Sequence, residues 1–111
     1  MDKNVEISIL SEIYGKLLTD KQYNSLNDYY NFDLSLSEIA QNLNISRQGV
    51  RDNIKKGEAK LYEYESKLGI MKNNLKKEND IKNIISIIDT INTDNLETKI
   101  NKVKNELTKL I

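Results

Sequence analysis

The stretch that most constrains the fold of this chain covers residues 35–54 and reads SLSEIAQNLNISRQGVRDNI. Ser35 and Glu38 have the spacing of a capping box, which marks the start of a helix. Apolar side chains then fall on one face of that helix, at Leu36, Ile39, Ala40 and Leu43. Asn44 follows where the chain must turn, and asparagine tolerates the left-handed backbone that such turns use. The pattern predicts a short helix that ends in a tight turn.

A second helix is predicted to begin directly after this turn. Ser46 is suited to cap its N-terminus, and Val50 and Ile54 continue the buried stripe four residues apart. Two helices joined in this way predict a helix-turn-helix. The second helix carries Arg47 and Arg51 near its start, at the position where such motifs place a recognition helix.

The flanking segments also have helical spacing. A first helix is predicted over residues 4–18, with one face formed by Leu10, Ile13, Tyr14 and Leu17. A second is predicted to start at a capping box of Thr19 and Gln22, with an inner stripe of Tyr23, Leu26, Tyr29 and Tyr30. The helix capped by Ser46 is expected to continue to Gly69. Its predicted buried positions are Val50, Ile54, Gly57, Leu61, Tyr64 and Leu68.

Two more helices are predicted after Gly69. The fifth has a broad apolar face that includes Leu75, Ile81, Ile84, Ile85, Ile88 and Ile91. The sixth is expected to start at Thr93–Asp94 and has heptad spacing at Leu96, Ile100, Val103, Leu107 and Leu110. This heptad face could pack on the fifth helix of the same chain or form a dimer seam. Since a helix-turn-helix module needs little extra to bury its core, we expect a homodimer.

Composition fixes the class. The chain has no proline and four glycines, and alternating strand patterns are scarce, so an all-α fold is predicted. We expect residues 1–68 to form a helix-turn-helix domain similar to a small bundle with a long recognition helix. Residues 69–111 are expected to form a helical extension for packing or dimerisation.

Missing residue types exclude several functions. The chain has no cysteine and no histidine, which removes disulfides, thiol chemistry, imidazole catalysis and the usual zinc sites. We therefore predict a protein that is not an enzyme and that uses no metal, cofactor or small-molecule substrate. No apolar run reaches membrane-spanning length and the first residues lack a signal-peptide pattern, so a cytoplasmic protein without a membrane partner is expected.

Charge is balanced overall, with 17 basic and 17 acidic residues, but it is unevenly distributed. Residues 1–45 carry three basic and seven acidic residues, whereas residues 46–56 carry four basic residues against Asp52 alone. A basic helix tip on an acidic body has the polarity needed to dock on nucleic acid.

The candidate binding residues lie on this basic tip. Arg47, Arg51 and Lys55 are four apart and share one helical face. In the functional interpretation, Arg or Gln side chains reach base edges and Lys side chains contact phosphates. The complete predicted set is Ser46, Arg47, Gln48, Arg51, Asp52, Lys55 and Lys56. The alternative is a solvated helix face with an ordinary Asp52–Lys56 pair.

The tyrosines allow a second interpretation. Tyrosine rings can stack on unpaired bases. Tyr23, Tyr29 and Tyr64 lie on apolar stripes, so core packing is the stronger interpretation for them. For Tyr30 and Tyr62 both interpretations stay open.

Four segments of the chain match a known pattern: YGKLLTDKQ at 14–22, YYNFDLSLSEIA at 29–40, ISRQGVRDNIKKGE at 45–58 and LYEYESKLGI at 61–70. Together they resemble the YlxM family of small bacterial proteins, whose helix-turn-helix is similar to region 4 of sigma factors. The resemblance implies a non-enzymatic, all-helical protein that acts in, or regulates, the signal recognition particle pathway.

Three functional hypotheses follow. The first is a homodimeric regulatory protein that binds DNA, in preference to RNA, through residues 46–56. The second keeps the fold but docks the basic face on structured RNA or on a protein of the signal recognition particle. The third is a helical adaptor in which Arg47 and Arg51 are only solvated.

Overall fold

The computed structural model describes all 111 residues, and they form six α-helices and no strands. The helices are α1 (Lys3–Tyr14), α2 (Asp20–Tyr30), α3 (Leu36–Leu43), α4 (Arg47–Leu68), α5 (Ile70–Asp89) and α6 (Leu96–Lys109). A short 3₁₀ turn, Gly15–Leu17, separates α1 from α2. The predicted all-α helix-turn-helix class is therefore confirmed. The chain divides into two compact units, Met1–Met71 and Lys72–Ile111.

The predicted caps set where α2 and α3 begin. Thr19 Oγ1 accepts a hydrogen bond from the Gln22 N–H at 3.2 Å, and the Thr19 N–H donates to Gln22 Oε1 at 3.1 Å. Ser35 and Glu38 form the same reciprocal pair at 3.1 and 3.2 Å. Because each pair satisfies two N–H groups that the first helical turn leaves free, both starts are fixed locally.

The core of the first unit forms where α4 crosses α1, α2 and α3. Its buried apolar side chains come from all four helices and from Leu18: Ile7, Leu10, Tyr14, Leu18, Leu26, Ile39, Ala40, Val50, Ile54 and Leu61. The predicted stripe of α4 is confirmed through Leu61, and Tyr64 is half-buried. The prediction that Leu68 is buried is wrong, since 54% of this residue is exposed.

Gly57 allows the close approach of α2 and α4. A Cβ atom at Gly57 would lie 2.7 Å from Leu26 Cδ1 and 3.6 Å from Gln22 Cβ. Leu26 is itself 1% exposed, so it has little room to move away. The helices reach this distance because residue 57 has no side chain.

The first helix departs from its predicted face after Tyr14. Leu17 was expected to lie inside, but it is 53% exposed, whereas Leu18 is 8% exposed. The reason is the 3₁₀ turn at Gly15–Leu17, which has about three residues per turn and so rotates the following side chains off the α-helical face.

The inner face of α2 also differs from the prediction. Leu26 is buried as expected, but Tyr23 and Tyr29 are 38% and 40% exposed. Gln22 and Ser25 are buried in their place. The Tyr23 ring lies over Gly15, where a Cβ atom would be 2.7 Å from Tyr23 Cε2. Gln22 and Ser25 occupy the face of α2 that packs on α4, because the two helices lie too close there for tyrosine rings.

A polar contact holds the end of α4. Gly69 adopts a left-handed backbone, with φ 63°, and ends the helix as predicted. The buried Tyr14 hydroxyl donates to Glu65 Oε1 at 2.8 Å and accepts from the Ile70 N–H at 3.2 Å. Glu65 Oε1 also accepts from the Met71 N–H at 2.9 Å. Burial, followed by the Glu65 carboxylate, raises the pKa of Tyr14, which keeps this hydroxyl a donor.

The second unit consists of the rest of α5, a turn, and α6. Ile84 is its one buried apolar side chain. The turn is built by Asn92 Oδ1, which accepts from the N–H groups of Asp94 and Asn95, and by Asn95 Oδ1, which accepts from the Asn92 N–H. Since these bonds occupy residues 92–95, α6 begins at Leu96 and not at the predicted Thr93–Asp94.

None of the six helices combines the length and the apolar content that a membrane-spanning helix needs.

Candidate nucleic-acid interface

The turn between α3 and α4 has the backbone that the sequence predicted. Asn44 lies in the left-handed region, with φ 54° and ψ 47°. The Ile45 N–H donates to the Ala40 carbonyl at 3.0 Å, and the Asn44 N–H donates to the Gln41 carbonyl at 3.4 Å. These two bonds are the Schellman pattern, which closes a helix and reverses the chain within a few residues.

The start of α4 is held rigidly on this scaffold. Ser46 Oγ accepts from the Gly49 N–H at 2.9 Å, which confirms the predicted N-cap. Val50 is fully buried and Ile54 is 8% exposed, so two side chains in the first two turns fix the rotation of the helix. The opposite side of α4 therefore faces outward.

All seven predicted binding residues are exposed, on the N-terminal half of α4 and at its cap: Ser46, Arg47, Gln48, Arg51, Asp52, Lys55 and Lys56. Arg47, Arg51 and Lys55 follow one another at four-residue intervals and therefore line one side of it. The structure brings these three together and places Lys56 on a different side of the helix.

Asp52, the single acidic residue of this surface, forms no ion pair with its basic side chains. Asp52 Oδ1 accepts a hydrogen bond from Gln48 Nε2 at 3.0 Å. The Asp52–Lys56 ion pair of the alternative interpretation does not form, and the Asp52 carboxylate accepts from Gln48 instead. None of the four basic side chains has an ion-pair partner within the chain, so their charges point into solvent.

A groove of about 320 Å³ lies beside this basic side of α4. We call it the Tyr29 groove. Its lining comes from α1, α2, α3 and α4 and consists of Lys3, Tyr29, Tyr30, Leu36, Arg51, Ile54, Lys55 and Glu58. Two of the predicted cationic residues, Arg51 and Lys55, therefore share a concave surface with two aromatic rings.

The two rings of the groove are held at right angles. Their centroids are 5.0 Å apart and their planes make an angle of 88°. The Tyr30 hydroxyl donates to Glu58 Oε1, and Glu58 Oε2 forms an ion pair with Lys3 Nζ at 3.3 Å. Burial, followed by the bond to Glu58, raises the pKa of Tyr30, so the phenol stays protonated as a donor.

Tyr62 makes a similar contact one turn further along α4. Its hydroxyl is hydrogen-bonded to Glu6, which raises the pKa of Tyr62 to about 12, with burial as the second cause. The two tyrosines that the sequence left open thus use their hydroxyls to join α4 to other helices. Tyr62 is nevertheless 38% exposed, and Tyr29, for which core packing was the stronger expectation, is 40% exposed.

The site has no residues suited to hold a metal ion. No group of three His, Cys, Asp or Glu side chains comes together anywhere in the chain. What the surface offers chemically is positive charge, hydrogen-bond donors and aromatic ring area.

Comparison with known proteins identifies the family. The family model described as "Putative helix-turn-helix protein, YlxM / p13 like" matches residues 1–107. The chain belongs to this family, UPF0122.

Curated members of UPF0122 are similar along most of their length. A UPF0122 protein of Clostridium kluyveri is 45% identical over 105 residues, which is 95% of this chain and 95% of the relative. One of Fusobacterium nucleatum is 48% identical over 99 residues, 87% of this chain and 91% of the relative. One of Malacoplasma penetrans is 54% identical over 74 residues, 66% of this chain and 69% of the relative. The predicted YlxM family membership is confirmed.

Within this UPF0122 fold, sequence reasoning missed the Tyr29 groove. It assigned both Tyr29 and Tyr30 to one inner stripe. Adjacent residues on a helix are about 100° apart, however, so two neighbouring tyrosines cannot both face the core fully. The pair itself was the signal that one ring would be exposed. Lys3 gave no comparable signal, since its place in the groove depends on how α1 packs.

Proposed function

We propose that this chain is a cytoplasmic regulatory protein that binds duplex DNA through the N-terminal half of α4. The observation that carries the proposal is the outward tip of the second helix of a helix-turn-helix, where Arg47, Arg51, Lys55 and Lys56 are exposed and unpaired. Such motifs place this helix in the major groove and read bases with its first residues.

Each predicted binding residue has a role in this proposal. Arg47 and Arg51 are long enough to reach base edges, where Arg pairs with guanine in two hydrogen bonds. Lys55 and Lys56 supply phosphate contacts, which position the protein without reading sequence. Ser46 caps the helix. Gln48 and Asp52 are hydrogen-bonded to each other. Either side chain can give up this hydrogen bond and form one with a base instead.

Duplex DNA is favoured over duplex RNA on groove geometry. The B-form major groove is about 12 Å wide and admits an α-helix. The A-form major groove is deep and narrow, and side chains on a helix cannot read it. The link to the signal recognition particle is supported by the resemblance to the YlxM family. The RNA of that particle is therefore the competitor against which DNA binding is measured.

We further propose that the protein acts as a homodimer joined through α6. The supporting observation is that α6 buries none of its side chains. Leu96, Ile100 and Leu107 are 46%, 39% and 47% exposed, and Val103 and Leu110 are only half-buried. Heptad-spaced apolar residues fit a second helix of the same spacing, which a second copy provides.

The experiment is a titration of labelled DNA with the full chain at several salt concentrations. Lys55 and Lys56 give two phosphate contacts per protomer and four per dimer, so log K is predicted to fall with log [salt] with a slope of about −3.6. Arg47→Ala combined with Arg51→Ala is expected to weaken binding because base contacts are lost, whereas Lys55→Ala combined with Lys56→Ala is expected to flatten this slope. Lys60→Ala combined with Lys67→Ala removes the same charge from the far part of α4 and serves as the control.

Two results would contradict the proposal. One is an affinity that hardly changes with salt. The other is equal loss in the Arg47/Arg51 and the Lys60/Lys67 double variants, which would mean that only net charge matters. Stronger competition by the RNA of the signal recognition particle than by duplex DNA would replace DNA by RNA as the ligand.

A further inference from the structure

We propose that the Tyr29 groove binds one unpaired nucleotide of a single-stranded DNA segment that adjoins the duplex on α4. The base stacks on Tyr29, and Lys55 holds the phosphate that links this base to the last base pair, while Arg51 adds positive charge beside the groove. This inference deepens the proposed function and rests on it for the position of the duplex. It adds a second site that receives the strand where base pairing ends.

The Tyr29 ring of the groove is exposed and is supported by the neighbouring Tyr30 ring. Tyr29 is 40% exposed, and its hydroxyl makes no hydrogen bond within the chain. Tyr30 supports it at 5.0 Å in an edge-to-face arrangement, and Tyr30 is tied to Glu58 through its hydroxyl. Because the ring is supported, stacking on it costs little conformational entropy.

The charge around the ring fits a phosphate. Arg51 and Lys55 line the groove and have no ion-pair partner in the chain. The single carboxylate of the groove, on Glu58, is occupied on one oxygen by Tyr30 and on the other by Lys3 at 3.3 Å. Cationic side chains beside aromatic rings are the combination with which proteins hold single strands.

The size and floor of the groove fit one nucleotide. Its volume of about 320 Å³ lies at the lower end of the range of small-molecule sites, about 300 to 1,000 Å³. The half-buried Leu36 and the buried Ile54 give it an apolar floor. A base inside a duplex has both faces covered by its neighbours, so only an unpaired base can present a face to Tyr29.

The test compares two DNA ligands of the same duplex sequence, one blunt-ended and one with a short oligo-dT overhang. The measured quantity is the ratio of their affinities for the full chain. Stacking of one base predicts a ratio of at least about fivefold in favour of the overhang. Tyr29→Ala is expected to bring the ratio to about one, whereas Tyr29→Phe keeps the ring and keeps the ratio.

Phe32→Ala is the matched control, because Phe32 is an exposed aromatic residue, at 64%, that does not line the groove. It is expected to leave the ratio unchanged. A 2-aminopurine base in the overhang gives a second measurement, since its fluorescence falls when it stacks on Tyr29.

The outcomes separate the two proposals. Equal affinity of wild-type protein for both ligands, with binding that depends on Arg47, overturns the groove proposal and leaves the duplex proposal standing. Binding of the overhang ligand that depends on Tyr29, without binding of the blunt duplex, overturns the duplex proposal and supports the groove. Binding of neither ligand overturns both. A ratio that Phe32→Ala lowers as much as Tyr29→Ala also overturns the groove proposal.

Discussion

Single side chains in the first unit have very different surroundings even when they are neighbours of the same type. Leu17 and Leu18 are the clearest example, at 53% and 8% exposed. The difference depends on the 3₁₀ turn that precedes α2. The two leucines therefore report on the backbone of this turn.

Leu18→Ala is expected to lower the free energy of unfolding by about 2–5 kcal/mol, because it leaves a cavity in the core. Leu17→Ala is expected to change it by no more than about 0.5 kcal/mol, as for most surface positions. Urea denaturation of both variants measures the difference. The opposite order would mean that α1 continues as a regular α-helix through Leu17.

Ser25 is expected to respond in the opposite direction. It is fully buried, and its Oγ has no hydrogen-bond partner in the chain. Leaving a buried hydroxyl unpaired is costly, and alanine is also the better helix former. Ser25→Ala should therefore raise the free energy of unfolding by about 1–2 kcal/mol.

The control for Ser25→Ala is Ser86→Ala, at an exposed position in the last turn of α5. It reports the gain in helix propensity alone, which is about 0.5 kcal/mol. The measurement is thermal or urea unfolding. An equal change in the free energy of unfolding for both variants would show that the Ser25 hydroxyl has a hydrogen-bond partner in solution.

At the scale of helices and turns, the local signals were the most predictable. The capping boxes at Thr19 and Ser35, the cap at Ser46 and the left-handed Asn44 all depend on residues within a few positions of each other. Their hydrogen bonds form within the segment, so the sequence is sufficient to predict them.

What could not be predicted at this scale depends on how helices pack. The exposure of Tyr23 and Tyr29 follows from the distance between α2 and α4, which is set at Gly57. The late start of α6 follows from asparagine bonds that compete with the helix. The seven candidate residues on α4 could be placed on its exposed side from sequence, whereas the Tyr29 groove needs four helices in position.

Asn44 gives a prediction for the turn that joins α3 to α4. Its φ of 54° is costly for residues with a Cβ, by about 1–2 kcal/mol, but asparagine and glycine tolerate it. Asn44→Ala is expected to lower the free energy of unfolding by about 1 kcal/mol. Asn44→Gly should have little effect. Chemical denaturation of the two variants measures this, and equal loss in both would assign the cost to the asparagine side chain.

At the scale of the whole molecule, the two units differ in how they bury apolar residues. The first has a closed core, whereas the second buries Ile84 and leaves Ile81, Ile85 and Ile88 about half exposed. These three isoleucines are four and three residues apart and so line one face of α5, and exposed apolar patches of this kind usually mark interaction sites. This is the physical reason for expecting a second copy on the second unit.

The proposed homodimer predicts a sedimentation coefficient and a scattering mass of two chains. Ile100→Glu combined with Leu107→Glu is expected to give monomers, because it places charges in the heptad face. Asn101→Glu combined with Asn105→Glu adds the same charge at exposed polar positions of α6 and should leave the dimer intact. A wild-type chain that sediments as a monomer at high concentration would exclude the proposal.

A single substitution at the Ser46 cap can separate the stability of the fold from DNA binding. Aspartate caps helices as well as serine does, and the helix dipole favours its charge there. Ser46→Asp should therefore keep the free energy of unfolding while it places a negative charge against the phosphates of the ligand. We expect at least about tenfold weaker DNA binding, whereas Thr19→Asp, the same exchange at the cap of α2, should leave both quantities unchanged. A loss-of-function allele of this kind would reveal what the bound state does in a cell without depleting the protein.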